Sequence, residues 1–340
     1  MKPELSSFYQ QGEEVGGLLD QLADGRLAHA CLITGEKGTG KRTLASLMAR
    51  SLLCRSGGTR PCGVCNDCQM AEAEEHPDLI VIRKRVPIAQ EAKKDRATIP
   101  VDDIREMIRI CGTRTLDGRA RVVIIQEADR MTPQAQNCLL KTLEEPPEGT
   151  YLILTTEHPE GLLTTVISRT RPIRLKAWKE SYIRQILNEA GVPHERASDA
   201  ADESHGSIGK AITLSTDEEY WQTRSGIIRD FFGTLHRSEI LRISNSWKDR
   251  KGEANVLTET LESLIRSMLE SRLSPGAARK VAHLPLNWQV FSQKADMDRF
   301  TMLLDAVSEA RKQIQSNVNF QAVLEHLLFI WMGEGNKWST

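Results

Sequence analysis

Apolar and polar positions alternate in two different ways along the chain. In the first half, short apolar runs at 30–34, at the start of 121–130 and at 150–156 are typical of buried strands. Apolar residues at helical spacing follow the first two runs, over 44–52 and 135–143. Strands that alternate with helices in this way predict a parallel sheet with crossover helices.

The second of these helices carries its own start and stop signals. Thr132 is the expected N-cap, and Pro133 suits the first helical position. Pro146 and Pro147 should end the helix, because a residue that precedes proline is disfavoured in the helical conformation.

The pattern changes after about residue 176, where the strand signals stop. Residues 176–217 predict a small helical region, and 218–340 predict a larger all-helical region whose last helix is capped by Asn319. Three apolar stripes at helical spacing predict the core of a bundle in the larger region. They comprise Leu257, Leu261, Leu264, Ile265, Met268 and Leu269; Phe300, Leu303, Leu304, Val307 and Ile314; and Val323, Leu324, Leu327, Leu328 and Trp331.

The composition fits a soluble globular protein of two or three domains. The chain has 340 residues, of which 40% are hydrophobic and 27% charged, and its formal net charge is −1. This balance gives no overall attraction to nucleic acid or membrane, so any contact with DNA must be local. The sequence shows neither a spanning apolar run of roughly 20 residues nor an apolar N-terminal signal, so we expect a cytoplasmic protein.

Four of the seven cysteines are clustered, which in a cytoplasmic chain favours a metal site over disulfides. Cys54, Cys62, Cys65 and Cys68 offer four thiolates, the set that zinc takes tetrahedrally in structural sites. An iron–sulfur cluster and free thiols are the alternatives. Four protein ligands leave no position open for catalysis, so the module at about 54–70 should fold a loop rather than perform chemistry.

A second motif lies where the first strand gives way to a helix. Gly35, Gly40 and Lys41 match the phosphate-binding pattern G-x-x-x-x-G-K-[ST], but Arg42 stands where the pattern requires a hydroxyl residue. Arginine has no oxygen to ligate Mg²⁺, and Thr43 lies about 100° further around the helix. The degenerate loop therefore predicts weak nucleotide binding or none.

The end of the strand within 121–130 departs from an ATPase in a similar way. A second Mg²⁺ contact normally comes from an aspartate at this point, and a catalytic glutamate follows it. Here Gln126 stands at the aspartate position, and Glu127 stands at the glutamate position. Two changes at the same metal ion indicate that the chain has no independent ATPase activity.

The order of these motifs resembles the bacterial clamp-loader subunits of the AAA+ class. The resemblance rests on HACLITGEKGTGK, the cysteine cluster, VVIIQEADRMTPQAQNCLLKTLEEPP and LTTEHPEGLLTTVISRT. It is strong over about 20–175 and weaker to about 215, and NVNFQAVLEHLLFIW is similar to the last collar helix. It implies an AAA+ α/β domain over 1–175 with an inserted zinc module, a helical lid domain over 176–217 and an all-α collar domain over 218–340.

The resemblance also implies roles for single residues. Clamp loaders are pentamers with ATP sites between neighbouring subunits, and Arg169 in Ser168-Arg169-Thr170 matches the arginine that reaches a neighbour's ATP. Gly209 stands where the ATPase subunits carry a lid arginine, and Thr156 matches a sensor position. The implied protein does not hydrolyse ATP and supplies Arg169 in trans.

The implied partners are gamma/tau-like ATPase subunits, a delta-like subunit, the sliding clamp and primed DNA. The implied setting is the DNA polymerase III complex of replication, and no membrane is among the implied partners. An active gamma/tau-like ATPase is the alternative, against which Arg42, Gln126 and Gly209 count. A zinc-dependent nucleic-acid-binding module outside replication is a third interpretation, disfavoured by the near-neutral charge. The charged segment 83–96 could touch DNA, although a solvated loop is the commoner use of such a segment.

Overall fold

The computed structural model describes residues 4–84, 98–115, 119–233, 236–274, 280–316 and 318–337. The chain divides into two units, Met1–Ile212 and Thr213–Thr340, and each contains a hydrophobic core of its own. Apart from Arg83 and Lys84, the charged segment 83–96 lies outside the described residues. Within the described residues, none of the helices combines the length and the apolar content that crossing a membrane requires.

A parallel sheet forms the centre of the first unit, as the alternating pattern predicts. Its five strands are β1 (Ala30–Thr34), β2 (Leu79–Ile82), β3 (Arg121–Ile125), β4 (Thr150–Thr156) and β5 (Arg171–Arg174). They lie in the order β2-β3-β4-β1-β5, and all neighbours are parallel. Thr34 pairs with Thr156, so the segments that follow β1, β3 and β4 meet at one edge of the sheet.

The apolar pattern predicts three of the strands and misses two. β5 lies at an edge of the sheet, and its only buried residue is Ile173, which is flanked by Pro172 and Arg174. Edge strands tolerate proline, but such a strand leaves no apolar run in the sequence. β2 lies at the other edge, and its four residues form a short apolar run that is not among the predicted strands.

Nine helices of the described chain accompany the sheet. They are α1 (Glu13–Ala23), α2 (Lys41–Leu53), α3 (Asn66–Glu72), α4 (Val101–Cys111), α5 (Pro133–Glu144), α6 (Thr164–Ile167), α7 (Glu180–Glu189), α8 (His194–Glu203) and α9 (Ile208–Thr216), which spans the division between the units. The predicted cap of α5 is confirmed, because the Thr132 hydroxyl accepts from the Ala135 amide at 3.2 Å. Ala135, Leu139 and Leu143 face the core.

The described residues of the second unit form helices joined by short connections, with no strand among them. Its helices are α10 (Glu218–Phe232), α11 (Arg237–Trp247), α12 (Ala254–Leu273), α13 (Leu286–Lys294), α14 (Met297–Gln315) and α15 (Phe320–Asn336). The three predicted stripes form its core, although Leu269, Leu304 and Ile314 are only partly buried. Asn319 caps α15 by accepting from the Ala322 amide at 3.3 Å, as predicted.

Candidate functional site

Four cysteine sulfur atoms come together where α2 ends. The sulfur atoms of Cys54, Cys62, Cys65 and Cys68 all lie within 4.8 Å of one another. The Cys54–Cys65 and Cys62–Cys68 pairs are 3.9 and 4.0 Å apart. Sulfurs bound at about 2.3 Å to one tetrahedral ion would be roughly 3.8 Å apart, whereas a disulfide needs about 2.0 Å. The geometry therefore fits one metal ion held by all four sulfurs.

Backbone amides support the same sulfur atoms. The amides of Cys65 and Cys68 donate to the sulfurs of Cys62 and Cys65, each at 3.4 Å. Backbone donors at Val64 and Cys65 lower the pKa of the Cys62 thiol to about 6, whereas burial raises the pKa of Cys68 to about 12. Because the thiolate is the form that binds metal, an ion at this position would favour deprotonation of both.

A buried carboxylate anchors the cysteine module. Asp67 lies in the first turn of α3 and is buried. Arg55 Nε lies 2.9 Å from one of its oxygens, and His76 Nε2 lies 3.4 Å from the other. His76 Nδ1 accepts from the Asp78 amide at 3.1 Å, so the ring nitrogen that faces Asp67 carries the proton. The sequence pattern does not signal this contact, because no spacing rule connects the two side chains.

The phosphate loop has the strand–loop–helix context that its motif requires. β1 ends at Thr34, and α2 begins at Lys41. The Lys41 ammonium donates to the carbonyls of Gly35 and Glu36 at 2.8 and 2.7 Å, and it lies 3.4 Å from Glu157 Oε1. Burial lowers the pKa of Lys41, an effect that Glu157 opposes. Three oxygens of the chain thus surround an ammonium that has three donors.

The remaining residues of the motif lie where the pattern places them. Gly40 is the N-cap of α2. Arg42 is exposed, and Thr43 is half-buried one position further along the helix. No hydroxyl therefore occupies the position at which a phosphate loop holds its metal ion.

Trp178 and Gly209, which belong to the same unit, pack against the phosphate loop. The Gly209 amide donates to the Gly38 carbonyl at 3.1 Å, and Trp178 Nε1 donates to the Thr39 carbonyl at 2.9 Å. A Cβ at Gly38 would lie 2.0 Å from Ser207 Oγ, and a Cβ at Gly209 would lie 3.3 Å from the Gly38 Cα. Gly209, where the resemblance places a lid arginine in the ATPase subunits, therefore packs directly against the loop.

The two positions after β3 are paired with cations. Arg83 Nε donates to Gln126 Oε1 at 3.2 Å, and Lys84 Nζ lies 2.7 Å from Glu127 Oε2. Glu127 has a φ of +50°, which non-glycine residues seldom adopt. Gln126 is neutral, and the Lys84 ammonium offsets the charge of the Glu127 carboxylate. The two positions therefore contribute no net negative charge that would attract a metal ion.

Thr156, at the predicted sensor position, has a local structural task. It is buried, and its hydroxyl donates to Asp129 Oδ1 at 2.5 Å and accepts from the His158 amide at 2.9 Å. These bonds connect the end of β4 with the short helical turn after β3.

Arg169 lies two residues after α6, on a different element from the phosphate loop. Its Nε and Nη2 atoms lie 2.7 and 2.5 Å from Glu144 Oε1, at the end of α5. Its Nη1 atom donates to the Thr165 carbonyl at 3.1 Å and to Ser168 Oγ at 3.4 Å. The side chain is 34% exposed, so a partner can reach it.

The chain is similar to subunits of one replication complex. The family model described as "DNA polymerase III, delta subunit" matches residues 10–179. The DNA polymerase III subunit delta' of Bacillus subtilis is 31% identical over 322 residues, which cover 92% of this chain and 93% of the relative. The delta' subunit of Escherichia coli is 35% identical over 202 residues, 59% of this chain and 58% of the relative. The tau subunit of Escherichia coli is 34% identical over 247 residues, 69% of this chain but 36% of tau.

The contact between the phosphate loop and the start of α9 can be tested with Gly38→Ala. The substitution places a Cβ against Ser207 and puts alanine at a φ of +78°, which costs about 1–2 kcal/mol. We expect hydrogen exchange of 207–212 to become about tenfold faster, measured by mass spectrometry on the folded chain.

Gly57→Ala is the matched control for this substitution, because a Cβ at Gly57 meets nothing within 4 Å. It should leave the exchange of 207–212 unchanged. Exchange that stays the same in Gly38→Ala as well would show that the contact does not hold α9 on the loop.

Proposed function

The chain belongs to the family of DNA polymerase III delta-prime subunits, and from this premise we propose that it serves in a clamp loader without hydrolysing ATP. It supplies Arg169 in trans to the nucleotide of a neighbouring ATPase subunit. The observation that carries the proposal is the contrast between two sites of one unit. The Lys41 ammonium is buried and bound by loop carbonyls of its own chain, whereas the Arg169 guanidinium is 34% exposed beside a carboxylate that is itself 49% exposed.

The state of the phosphate loop argues against hydrolysis by this chain. Lys41 would have to give up two carbonyl partners to reach a nucleotide's outer phosphates. Arg42 and Gln126 cannot supply the anionic or hydroxyl oxygens that position Mg²⁺. The Gly209–Gly38 contact would also have to open before a side chain or a phosphate could enter between them.

The surroundings of Arg169 suit an arginine that acts on another subunit. A guanidinium stays charged and presents a fork of donors that matches phosphate oxygens. In phosphoryl transfer such a group stabilises the charge that develops in the transition state. Because the chain's own loop lacks the groups that hold Mg²⁺, Arg169 has a clear use only at a neighbour's site.

The remaining assignments follow from the family. We propose gamma/tau-like ATPase subunits and a delta-like subunit as partners, and the sliding clamp and primed DNA as what the complex acts on. We also propose an AAA+ domain over 1–175, a lid domain over 176–217 and a collar domain over 218–340. The delta' and tau relatives, which match 92% and 69% of the chain, support the assignment to this complex.

We propose structural Zn²⁺ for the cysteine site. Four thiolates at tetrahedral separation are the set that zinc takes in structural sites. The ion would join the end of α2 to α3 through Cys54, Cys65 and Cys68. With all four ligands from the protein, it would hold the loop and take no part in hydrolysis.

An active gamma/tau-like ATPase is the second candidate, because the match to tau covers 69% of this chain. The chain keeps Lys41 and Glu127, which such an enzyme would use. The substituted metal positions and the covered loop favour the first candidate.

Zinc binding predicts one tightly held Zn²⁺ per chain purified under reducing conditions, measured by elemental analysis. Structural zinc is worth about 10–16 kcal/mol in small fingers, but this module is anchored to a larger unit. Cys65→Ser should therefore release the metal and loosen about 54–70 without unfolding the sheet. Cys138→Ser, which lies outside the cluster, should keep its zinc. A wild-type chain without zinc would contradict the assignment.

The nucleotide assignment predicts no ATP turnover above background by the purified chain. Arg42→Thr combined with Gln126→Asp should improve Mg·ATP binding, because it restores two metal-positioning groups. Full activity should not return, since Gly209 still lacks the lid arginine. Vigorous hydrolysis by the wild-type chain that disappears in Lys41→Ala would instead favour the gamma/tau-like candidate.

The trans role predicts that Arg169→Ala folds, keeps its metal and assembles, but impairs DNA-stimulated hydrolysis and clamp loading. Arginine fingers contribute about 10³–10⁵ in rate in GTPases. Here the overall loss should be smaller, because only one interface loses its finger. Arg169→Lys should fail nearly as badly, since a point charge lacks the fork. The measurement is ATPase and clamp-loading rates of the reconstituted complex on primed DNA.

Arg109→Ala is the matched control for the Arg169 variants. Arg109, like Arg169, pairs with a glutamate at the surface of the same unit, in this case Glu106. Its loss should leave both rates unchanged. Wild-type rates in an assembled Arg169→Ala complex would refute the trans role, and failure to assemble would assign Arg169 to interface structure.

A further inference from the structure

Glu144 contacts Arg169 from a helix end that is firmly placed. It is the last residue of α5, whose residues Leu139 and Leu143 are buried in the core of the first unit. About two turns earlier in α5, the buried Gln136 side chain donates to the Gly161 carbonyl at 3.1 Å and accepts from the Leu163 amide at 2.7 Å. Gln136 therefore ties α5 to the segment that leads into α6, and so fixes Glu144 relative to the turn that carries Arg169.

The two sides of the Arg169 guanidinium are bound by oxygens of different chemistry. Nε and Nη2 face the Glu144 carboxylate at 2.7 and 2.5 Å, which are lengths of charge-assisted hydrogen bonds. Nη1 faces the neutral oxygens of Thr165 and Ser168 at 3.1 and 3.4 Å. A phosphate would displace the weak neutral contacts before it displaced the carboxylate, because the bonds to an ionised acceptor are stronger.

The ion pair between Glu144 and Arg169 contributes little to the stability of the fold. Glu144 is 49% exposed and Arg169 34% exposed, and ion pairs at such positions contribute little to folding because water screens them. An exposed arginine otherwise samples many rotamers, and each encounter with a ligand would have to order it again. A carboxylate that holds one side of the guanidinium removes part of that cost in advance.

We propose that Glu144 is a positioning residue for Arg169. It retains the Nε and Nη2 donors and leaves the Nη1 side to exchange Thr165 and Ser168 for the phosphate of a nucleotide on the neighbouring subunit. This inference rests on the proposed trans role of Arg169. Glu144 does not touch the nucleotide, and its effect acts through the orientation of the arginine.

The test uses the complete complex reconstituted with tau-like and delta-like subunits of the same organism. Glu144→Ala, Glu144→Gln, Arg169→Ala and the double variant Glu144→Ala with Arg169→Ala are compared. Glu145→Ala removes an equal charge at the adjacent exposed position and is the matched control. The rate of DNA-stimulated hydrolysis is measured against ATP concentration, with Mg·ATP and primed DNA as the probes.

Positioning predicts that Glu144→Ala loses about half or more of the maximal rate that Arg169→Ala loses. The ATP concentration for half-maximal rate should change less than about twofold, because the arginine acts in the transition state rather than in ground-state binding. Glu144→Gln keeps an acceptor oxygen and should recover part of the rate. The double variant should match Arg169→Ala, because the two residues act as one unit.

Several outcomes would overturn the inference while leaving the trans role intact. One is a defective Arg169→Ala complex beside Glu144→Ala and Glu144→Gln complexes with wild-type rates. Another is faster hydrolysis by Glu144→Ala, which would make Glu144 an inhibitor of Arg169. Equal losses in Glu145→Ala and Glu144→Ala would reduce the effect to surface charge. A wild-type rate in Arg169→Ala would instead remove the trans role, and this inference with it.

Discussion

Gly38 and Gly209 approach each other closely because neither residue has a Cβ. Their backbones share a hydrogen bond of 3.1 Å, and a Cβ at Gly209 would come within 3.3 Å of the Gly38 Cα. This contact brings the start of α9 onto the phosphate loop, where a lid arginine would otherwise need room. Gly209 therefore both leaves this position without a charged side chain and permits the close packing of α9 on the loop.

The charges around the phosphate loop are likewise paired within the chain. In an ATPase, nucleotide phosphates and Mg²⁺ balance the loop lysine and the acidic strand end. Here Lys41 is balanced by loop carbonyls and Glu157, while Lys84 balances Glu127. A site whose charges are already paired has little to gain from a nucleotide, because each new contact replaces an existing one. Arg169 is the exception in part, since its Nη1 side faces neutral oxygens only.

Local sequence signals predicted the parts of this structure that depend on local interactions. The runs that became β1, β3 and β4, the Thr132 and Asn319 caps and the grouping of four cysteines all follow from spacing or composition. The pairing of Arg83 with Gln126 joins residues 43 positions apart in sequence, at the ends of the neighbouring strands β2 and β3. Periodicity carries no information about such contacts, because the order of the strands decides which segment ends meet.

The helix α2 joins the phosphate loop to the cysteine cluster. Its first residue is Lys41 in the phosphate loop, and Cys54 follows its last residue, so the two sites lie about 20 Å apart along thirteen helical residues. The loop is held by backbone contacts that need no ligand.

The segment after Cys54 is rich in glycine and polar residues and carries a single large apolar side chain before α3, the 78% exposed Val64. Such a segment cannot build a core of its own, and a metal ion bound by the four sulfurs would give it a means to fold. The changes in the loop motif at one end of α2 therefore leave the fold intact, whereas loss of the cysteines at the other end would remove the proposed metal ion and loosen the segment.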